Sequence, residues 1–500
     1  MDPMSLGLFV VYLVSLLGIG FYAYLRSKKT SEDYFVASRS IGPIVLFLSM
    51  AATNFSAFTF FGFAGAAYRF GLAYYGIMAF GTGFMALSFY FIGRRIWQLG
   101  KKHGYITPPE LIGDRFRSDS LRIVFLGVMV VFTLPYLATQ AIGGGIALEE
   151  LTEGAVSYEL GAVIVTAVIT TYVMIGGMRA DAYTDVFQGI VMVVAMLAAL
   201  GIVGVGLGGF GEANSRLAEE FPDLVTRPGG NGFFTVPMWF SYMLLWTLCD
   251  PMFPQLWSRF YAARDERSIK LSMLMYPVIT AVLFLVPVLI GAWGNLEFPG
   301  LTGSEPDKIM PMMIEEFAPP WLFGVVLAGA FAALMSTADS QLLVLSSMLT
   351  RDIYKRWIKK AASSTQEFVV GKALVVGLSL LGLAIALSSV ESIFDTLTKT
   401  TFTGLAVLFP TTVAALYWKR ATKWGCVASI IAGELVYAGF YFGTIPSDYT
   451  FGFLSVVPVI AVTAVVLVGV SLTTSKLSDE KKSASPSPVA KADAEAQSGL

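Results

Sequence analysis

Thirteen stretches of this chain are apolar enough and long enough to cross a membrane, and that rules out most of what 500 residues can fold into. A hydrocarbon layer about 30 Å thick takes about 20 apolar residues as a helix. Backbone groups inside it must be satisfied within the protein. The stretches run approximately over 5–25, 41–68, 72–97, 121–146, 157–175, 182–207, 236–257, 269–293, 320–349, 367–389, 397–417, 423–443 and 451–472. Length alone suggests about three soluble domains. With 55% hydrophobic and 14% charged residues, the chain instead reads as an all-α polytopic membrane protein. The first stretch has Asp2 in place of a basic leader region and no clear cleavage site, so it reads as a span and not a signal peptide.

Charge orients the spans. With the N-terminus outside, all but Arg69, Arg216, Arg227, Lys308 and Lys399 of the 34 Lys and Arg residues fall on the cytoplasmic side. That bias is the positive-inside pattern. No Lys or Arg is expected deep in a span, and Arg179 and Asp181 read as interfacial. The outer loops hold two short amphipathic helices, Glu212–Val225 and Ser304–Phe317, and the cytoplasmic segment 107–115 reads as a short capped helix. The tail from Ser475 is rich in Ser, Pro, Lys, Asp and Ala and reads as disordered.

Several functions are excluded. A net charge of −1 offers no basic field for nucleic acid. Cys249 and Cys426 lie in or at the start of apolar runs, which argues against a disulfide framework or a thiolate metal site. His103, the single histidine, sits in a basic loop, so a histidine metal centre or triad is excluded within the chain. The run from Gly204 to Gly209 fits GxGxxG but ends an apolar helix, so it is no nucleotide loop.

The second span carries the most informative interruption. Between Leu48 and Gly65 the residues Ala51 to Ser56 (AATNFS) are small and polar. Asn, Ser and Thr side chains compete with the helix for backbone hydrogen bonds. Two readings stand: a broken helix whose freed carbonyls face an internal site, or an intact helix with a polar patch against its neighbours. Span seven is interrupted at Asp250-Pro251, where proline removes a helix hydrogen bond. The two breaks lie at similar depths, five spans apart. This is the pattern of an inverted five-helix repeat, with binding where the helices break. The chain then divides into 1–40 (first span and loop), 41–207 (first repeat), 208–235 (outer loop), 236–417 (second repeat), 418–474 (two further spans) and 475–500 (tail).

Span nine supplies oxygen ligands. Ser336 shares a helix face with Asp339 and Ser340, and Ala333 lies one turn earlier. Two hydroxyls with backbone carbonyls suit a small hard cation; hydroxyls that only bridge helices are the alternative. Asp185, Asp250 and Asp339 lie in or at the edge of spans without an adjacent Lys or Arg. A charge at mid-membrane costs about 2.5–3.5 kcal/mol, which marks such residues as functional. Asp185 also reads as an interfacial helix start. Asn54, Ser56, Phe58, Thr59, Tyr136, Gln140, Trp246 and Asp250 are the pocket candidates near the breaks; each aromatic is also compatible with packing. The threonines 398, 400, 401 and 403 read as a gate or as helix glue.

The stretches YFVASRSIGPIVLFLSMAATNFSAFTFFGFAGAAYRFGL, YVMIGGMRADAYTDVFQGIVM, QLWSRFYAARDERSIK and FAALMSTADSQLLVLSSMLTRDIY resemble the sodium:solute symporter family, with its proline, pantothenate, sialic acid, sugar and monocarboxylate permeases. The resemblance implies a neurotransmitter-transporter-like inverted 5+5 repeat with extra helices. It also implies sodium-coupled symport of a small organic solute in the plasma membrane (the inner membrane of the cell), and no enzymatic activity. It places Na⁺ at Ala52, Phe55, Ala333, Ser336 and Thr337. Asp185 matches an aspartate near a second sodium site in some members, where this chain adds Asp339 and Ser340. Asp339 departs from the all-hydroxyl version of that site. Proline permeases carry an aspartate where this chain has Asn54, which weakens a proline reading. A carboxylate-bearing solute, monocarboxylate or amino acid, is the leading expectation. Pantothenate, a sugar or another neutral solute is the alternative, and a channel or facilitator the remote one. Function as a monomer is expected.

Overall fold

The computed structural model describes residues 3–26, 30–388 and 392–482. Among them the chain is helical, and the one strand-like pairing is a bridge between Ile41 and Ala263. Ten helices are long and apolar enough to cross a membrane. Pro43–Asn54 and Phe58–Phe70 form an eleventh crossing bent by 60°.

Two elements explain why thirteen expected spans differ from a simple count of long helices. The helical run Tyr158–Gly206 has 49 residues, which as a straight rod at 1.5 Å per residue would measure about 74 Å. It is not straight. Gly177 has φ 66° and ψ −178°, and the Tyr172 hydroxyl hydrogen-bonds the Thr184 hydroxyl twelve residues on. Those groups would sit about 18 Å apart along a rod, so the chain doubles back at Gly177. Glycine is required there: a Cβ would carry a positive φ and lie 2.5 Å from the Tyr34 ring. The other element is span seven, which divides into Val236–Cys249, a single 3₁₀ turn at Asp250–Met252, and Pro254–Ala262.

The helix Pro320–Met348 runs through the middle of the bundle and is buried along most of its length. It packs on the 158–206 hairpin, the 119–151 helix and the first span. Small residues permit the approach: a Cβ on Gly329 would fall 2.2 Å from that of Ala195. The first span lies at the edge, exposing Val10, Val11, Val14, Leu17 and Phe21 as a lipid-facing stripe does. The short capped helix expected at 107–115 is Pro108–Phe116, with Thr107 and Glu110 forming a reciprocal capping box. The two expected amphipathic loop helices are Phe210–Glu220 with Pro222–Val225, and Ile309–Phe317 after a 3₁₀ turn at Glu305–Lys308.

One expectation is corrected at the C-terminus. The last helix runs Val456–Lys482, past Ser475, where disorder was expected to begin. Leu477, Glu480, Lys481 and Lys482 are good helix formers and let the helix propagate out of the membrane. Residues 483–500, the rest of the expected tail, lie outside the described residues.

Candidate functional site: two helix breaks and a buried ion-pair cluster

The 43–54 helix stops because Phe55 turns extended, at φ −82° and ψ 108°. The freed N–H groups are taken locally. Ala57 donates to Gln140 Oε1 at 3.0 Å, Phe58 to Ser56 Oγ at 3.1 Å and Ser56 to Thr59 Oγ1 at 3.4 Å. The freed carbonyls face the 320–348 helix. Ser336 Oγ donates to Ala52 O at 2.9 Å and Ala333 O at 3.0 Å. Thr337 Oγ1 reaches Thr53 O at 3.0 Å, and Phe55 O and Ala333 O at 3.2 Å each. The carbonyls of Ala52, Phe55 and Ala333 and the hydroxyls of Ser336 and Thr337, the five oxygens expected for sodium, thus form one buried knot, with the Thr53 carbonyl a sixth oxygen at its edge. An all-oxygen donor set of this kind fits a hard monovalent cation.

The break in span seven meets the break in span two. Asn54 Nδ2 donates to Asp250 Oδ2 at 2.9 Å and also hydrogen-bonds the Tyr276 hydroxyl. Trp257 Nε1 donates to Pro251 O at 2.8 Å, taking up a carbonyl freed by the second break. Tyr136 donates its hydroxyl to Ser56 Oγ at 3.2 Å. Beside these groups the rings of Phe58, Tyr136, Trp246, Phe253 and Phe402 pack together, with Trp246 and Phe402 centroids 5.0 Å apart. The indole Nε1 of Trp246 is buried without an acceptor.

Of the eight pocket candidates, Asn54, Ser56, Phe58, Tyr136, Trp246 and Asp250 gather at the junction of the breaks. Thr59 and Gln140 are there too, but their oxygens serve freed backbone, and Gln140 Nε2 is spent on Tyr136 O and Thr139 Oγ1. The threonine cluster mostly bonds its own helix: Thr398 donates to Phe394 O and Thr403 to Thr398 O. Tyr276, Phe253 and Phe402 went unselected in the sequence, where a lone aromatic in an apolar run carries no signal.

Asp185 and Asp339 do come together, in surroundings the sequence did not suggest. Arg259, just past the end of the seventh expected span, is 1% exposed. Its Nη2 lies 2.6 Å from Asp181 Oδ2, 2.7 Å from Asp185 Oδ2 and 2.5 Å from Ser340 Oγ, and its Nε lies 3.2 Å from Ser49 Oγ. Asp185 therefore has an arginine neighbour. Asp181, read as interfacial, is buried in the same cluster. One carboxylate oxygen each from Asp181, Asp185 and Asp339 all lie within 4.8 Å of one another. Asp185 Oδ2 also accepts from Ser49 Oγ at 2.5 Å, and Ser340 Oγ donates to Ser336 O at 2.7 Å, one turn from the five-oxygen knot.

With this geometry in hand, comparison with known proteins is direct. A sequence profile of the sodium:solute symporter family matches residues 34–433. The chain belongs to the sodium:solute symporter family. Among its relatives is the sodium/pantothenate symporter of Escherichia coli, 30% identical over 90% of this chain and 92% of the relative. The high-affinity proline transporter of Bacillus subtilis is 29% identical over 84% of this chain and 88% of its own length. In fold, this symporter matches a Na⁺-coupled sialic acid symporter solved in a substrate-bound outward-open state. The TM-score is 0.77 at 20% identity, covering 95% of this chain and 98% of the other. The shared fold is the neurotransmitter-transporter-like arrangement that the family resemblance implied. As a family member the chain is a sodium-coupled symporter of a small organic solute, carried in a membrane.

Proposed function

We propose that this symporter carries a carboxylate-bearing solute, a monocarboxylate or an amino acid, at the junction of the two helix breaks. Sodium is held beside it by Ala52, Phe55, Ala333, Ser336 and Thr337. The observation that carries the reading is the Asn54–Asp250 hydrogen bond. It joins the breaks at a residue flanked by the carbonyls of Thr53 and Phe55, so a cation on the knot and a solute at the junction share one piece of unwound backbone.

The junction suits such a solute. Arg259 is committed to carboxylates of its own chain, so a substrate carboxylate meets hydroxyls and half-helix N-termini, whose dipoles favour anions. The rings of Phe58, Tyr136, Trp246 and Phe402 supply an apolar wall, and Asp250 a partner for an ammonium group. Pantothenate, or a neutral solute such as a sugar, is the second reading.

Segments 41–207 and 236–417 act as the two inverted repeats, with 1–40 and 418–474 outside them. The N-terminus lies outside and the C-terminus in the cytoplasm, in the inner membrane of the cell, and one chain suffices for transport. Asp185, Asp339 and Ser340 form a second cation site. The chain performs no chemistry on its solute: the family is one of transporters, and no nucleophile–base pair is assigned.

The test is uptake by the reconstituted protein with a panel of labelled proline, lactate, pantothenate and glucose, with and without an inward sodium gradient. Sodium-driven accumulation of lactate or proline is expected, and accumulation of pantothenate alone, itself a carboxylate, favours the second reading. If only glucose or another neutral solute accumulates, the carboxylate reading is wrong. Equilibration without accumulation would favour a facilitator.

A further inference from the structure

Arg259 does not sit like a structural ion pair. A guanidinium has five donors and usually meets a carboxylate side-on through two nitrogens. Here a single nitrogen, Nη2, takes Asp181, Asp185 and Ser340 together at 2.5–2.7 Å, while Nη1 has one contact of 3.5 Å to Ser258 Oγ. One nitrogen ringed by oxygens at that range stands where a monovalent cation would. The neutralisation is also incomplete: three carboxylates surround one guanidinium. Asp185 Oδ1 and Asp339 Oδ2 are buried without a hydrogen-bond partner. A void of ≈ 10 Å³, about the size that admits one water, opens beside Asp339, lined by Tyr172, Gly177, Asp181 and Asp339 among others. Unpaired buried carboxylate oxygens are expensive, so the cluster is built to receive further positive charge.

The arginine's position gives that charge a consequence. Arg259 belongs to Pro254–Ala262, the half-helix after the second break. The far end of that half-helix is tied to the chain before the first break, through Ile41 N–H to Ala262 O at 3.1 Å and Arg264 N–H to Ile41 O at 2.9 Å. Its partners Ser49, Asp185 and Ser340 stand on three other elements.

We propose that Arg259 is a tethered cation that competes with sodium for the Asp181–Asp185–Asp339–Ser340 cluster. Sodium entering the cluster releases the arginine and with it the inner half-helix 254–262. This rests on the reading of Asp185, Asp339 and Ser340 as a second cation site. When the ion leaves, the arginine returns and re-latches the half-helix to the 43–54 helix and the hairpin. Ser340 bonds Ser336 O one turn away, so occupancy of the cluster is also felt at the five-oxygen knot.

The experiment is equilibrium binding of ²²Na⁺, without solute, to the purified full-length protein and to Arg259→Gln, Arg259→Lys and Asp185→Asn. Competition predicts that Arg259→Gln binds sodium at the weaker of two sites at least tenfold more tightly than wild type. Arg259→Lys, which keeps a charge on a shorter reach, shifts in the same direction by less. A variant that merely damages the fold binds more weakly or not at all, so tightening separates competition from a structural role. Asp185→Asn is expected to lose one of two sodium ions. If Asp185→Asn loses an ion but neither arginine variant tightens binding, the tethered-cation proposal is overturned and the second site stands. If Asp185→Asn binds as many ions as wild type, the second site itself is wrong. Arg259→Lys decides the matter if Arg259→Gln does not fold.

Discussion

Thr337→Ala is the substitution whose effect can be worked out most fully from the structure. The Thr337 hydroxyl is fully buried and touches the carbonyls of Thr53, Phe55 and Ala333. Without sodium it is a hydrogen-bond donor to carbonyls that have left their helix, a contact worth about 1 kcal/mol net. With sodium it turns its oxygen to the ion. A contact to a charged group is worth about 1.5–3 kcal/mol. The alanine variant loses both, so sodium affinity falls by the difference, about 0.5–2 kcal/mol, or roughly 2–30-fold. Thr337→Ser keeps the oxygen and should stay near wild type. Ser336→Ala follows the same arithmetic with two carbonyls in place of three. The double variant is expected to exceed either single one without equalling their sum, because the hydroxyls share Ala333 O. The assay is the sodium dependence of solute uptake in proteoliposomes, with a thermal melt of each variant to separate folding from affinity. A double variant that folds and shows a wild-type half-saturating sodium concentration would refute the assignment of the knot to sodium.

Two further outcomes follow from the fold. Gly177→Ala forces a side chain into a positive-φ position and against Tyr34; at a cost of about 1–3 kcal/mol, a lower melting temperature is expected, and an unchanged melt would mean that the hairpin turn bears no strain. Burial pushes the carboxyl of Asp307 up to about 7, against the lowering effects of the Ile393 N–H and nearby Arg69 and with a smaller push from Asp395. A raised folded-state value favours the protonated form, so docking of the 304–317 segment is strongest in acid and weakens as pH rises through the ordinary carboxylate range towards about 7. Asp307→Asn should flatten that dependence in hydrogen exchange corrected for intrinsic rate, and a wild-type profile already flat between about pH 4 and 8 would contradict the sign.

What the sequence made legible follows from local rules. Apolar runs of membrane length mark the spans. Polar residues such as Asn54 and Ser56, and the Asp250-Pro251 pair, mark the places where a helix cannot continue. Ser336 and Thr337 are legible as a sodium pair only through the family resemblance, because hydroxyls in a small-residue helix can equally bridge helices. Arg259 was not legible. It follows an aromatic-rich run just where a charge normally marks the membrane surface, and its partners lie 78, 74 and 81 positions away. Only the return of the 254–262 half-helix into the bundle makes it a buried residue. Thr59 and Gln140 show a different limit. They look like pocket groups because they are polar, but the break creates orphaned N–H groups and these side chains satisfy them. Sequence shows that a break must be served, not which side chains will serve it.

The geometry bears on how the gradient is used. One Na⁺ moving down about 100 mV gains about 2.3 kcal/mol, and a tenfold gradient adds about 1.4 kcal/mol. A monoanionic solute entering with one Na⁺ carries no net charge, so only the second of those terms would drive it. A carrier of a monoanion that draws on the voltage therefore needs more than one cation per turnover, whereas a zwitterionic amino acid does not. The five-oxygen knot, with no carboxylate of its own, suits one ion. Any further positive charge has its natural place in the Asp181, Asp185 and Asp339 cluster, where three acids face one arginine. The two places are joined by one helical turn from Ser336 to Ser340, and the arginine stands on the half-helix that follows the second break. On the proposed assignment the same charge that makes transport of an anion electrogenic also frees the inner half-helix, so the ion that supplies the voltage term is the one that controls the inner side of the carrier.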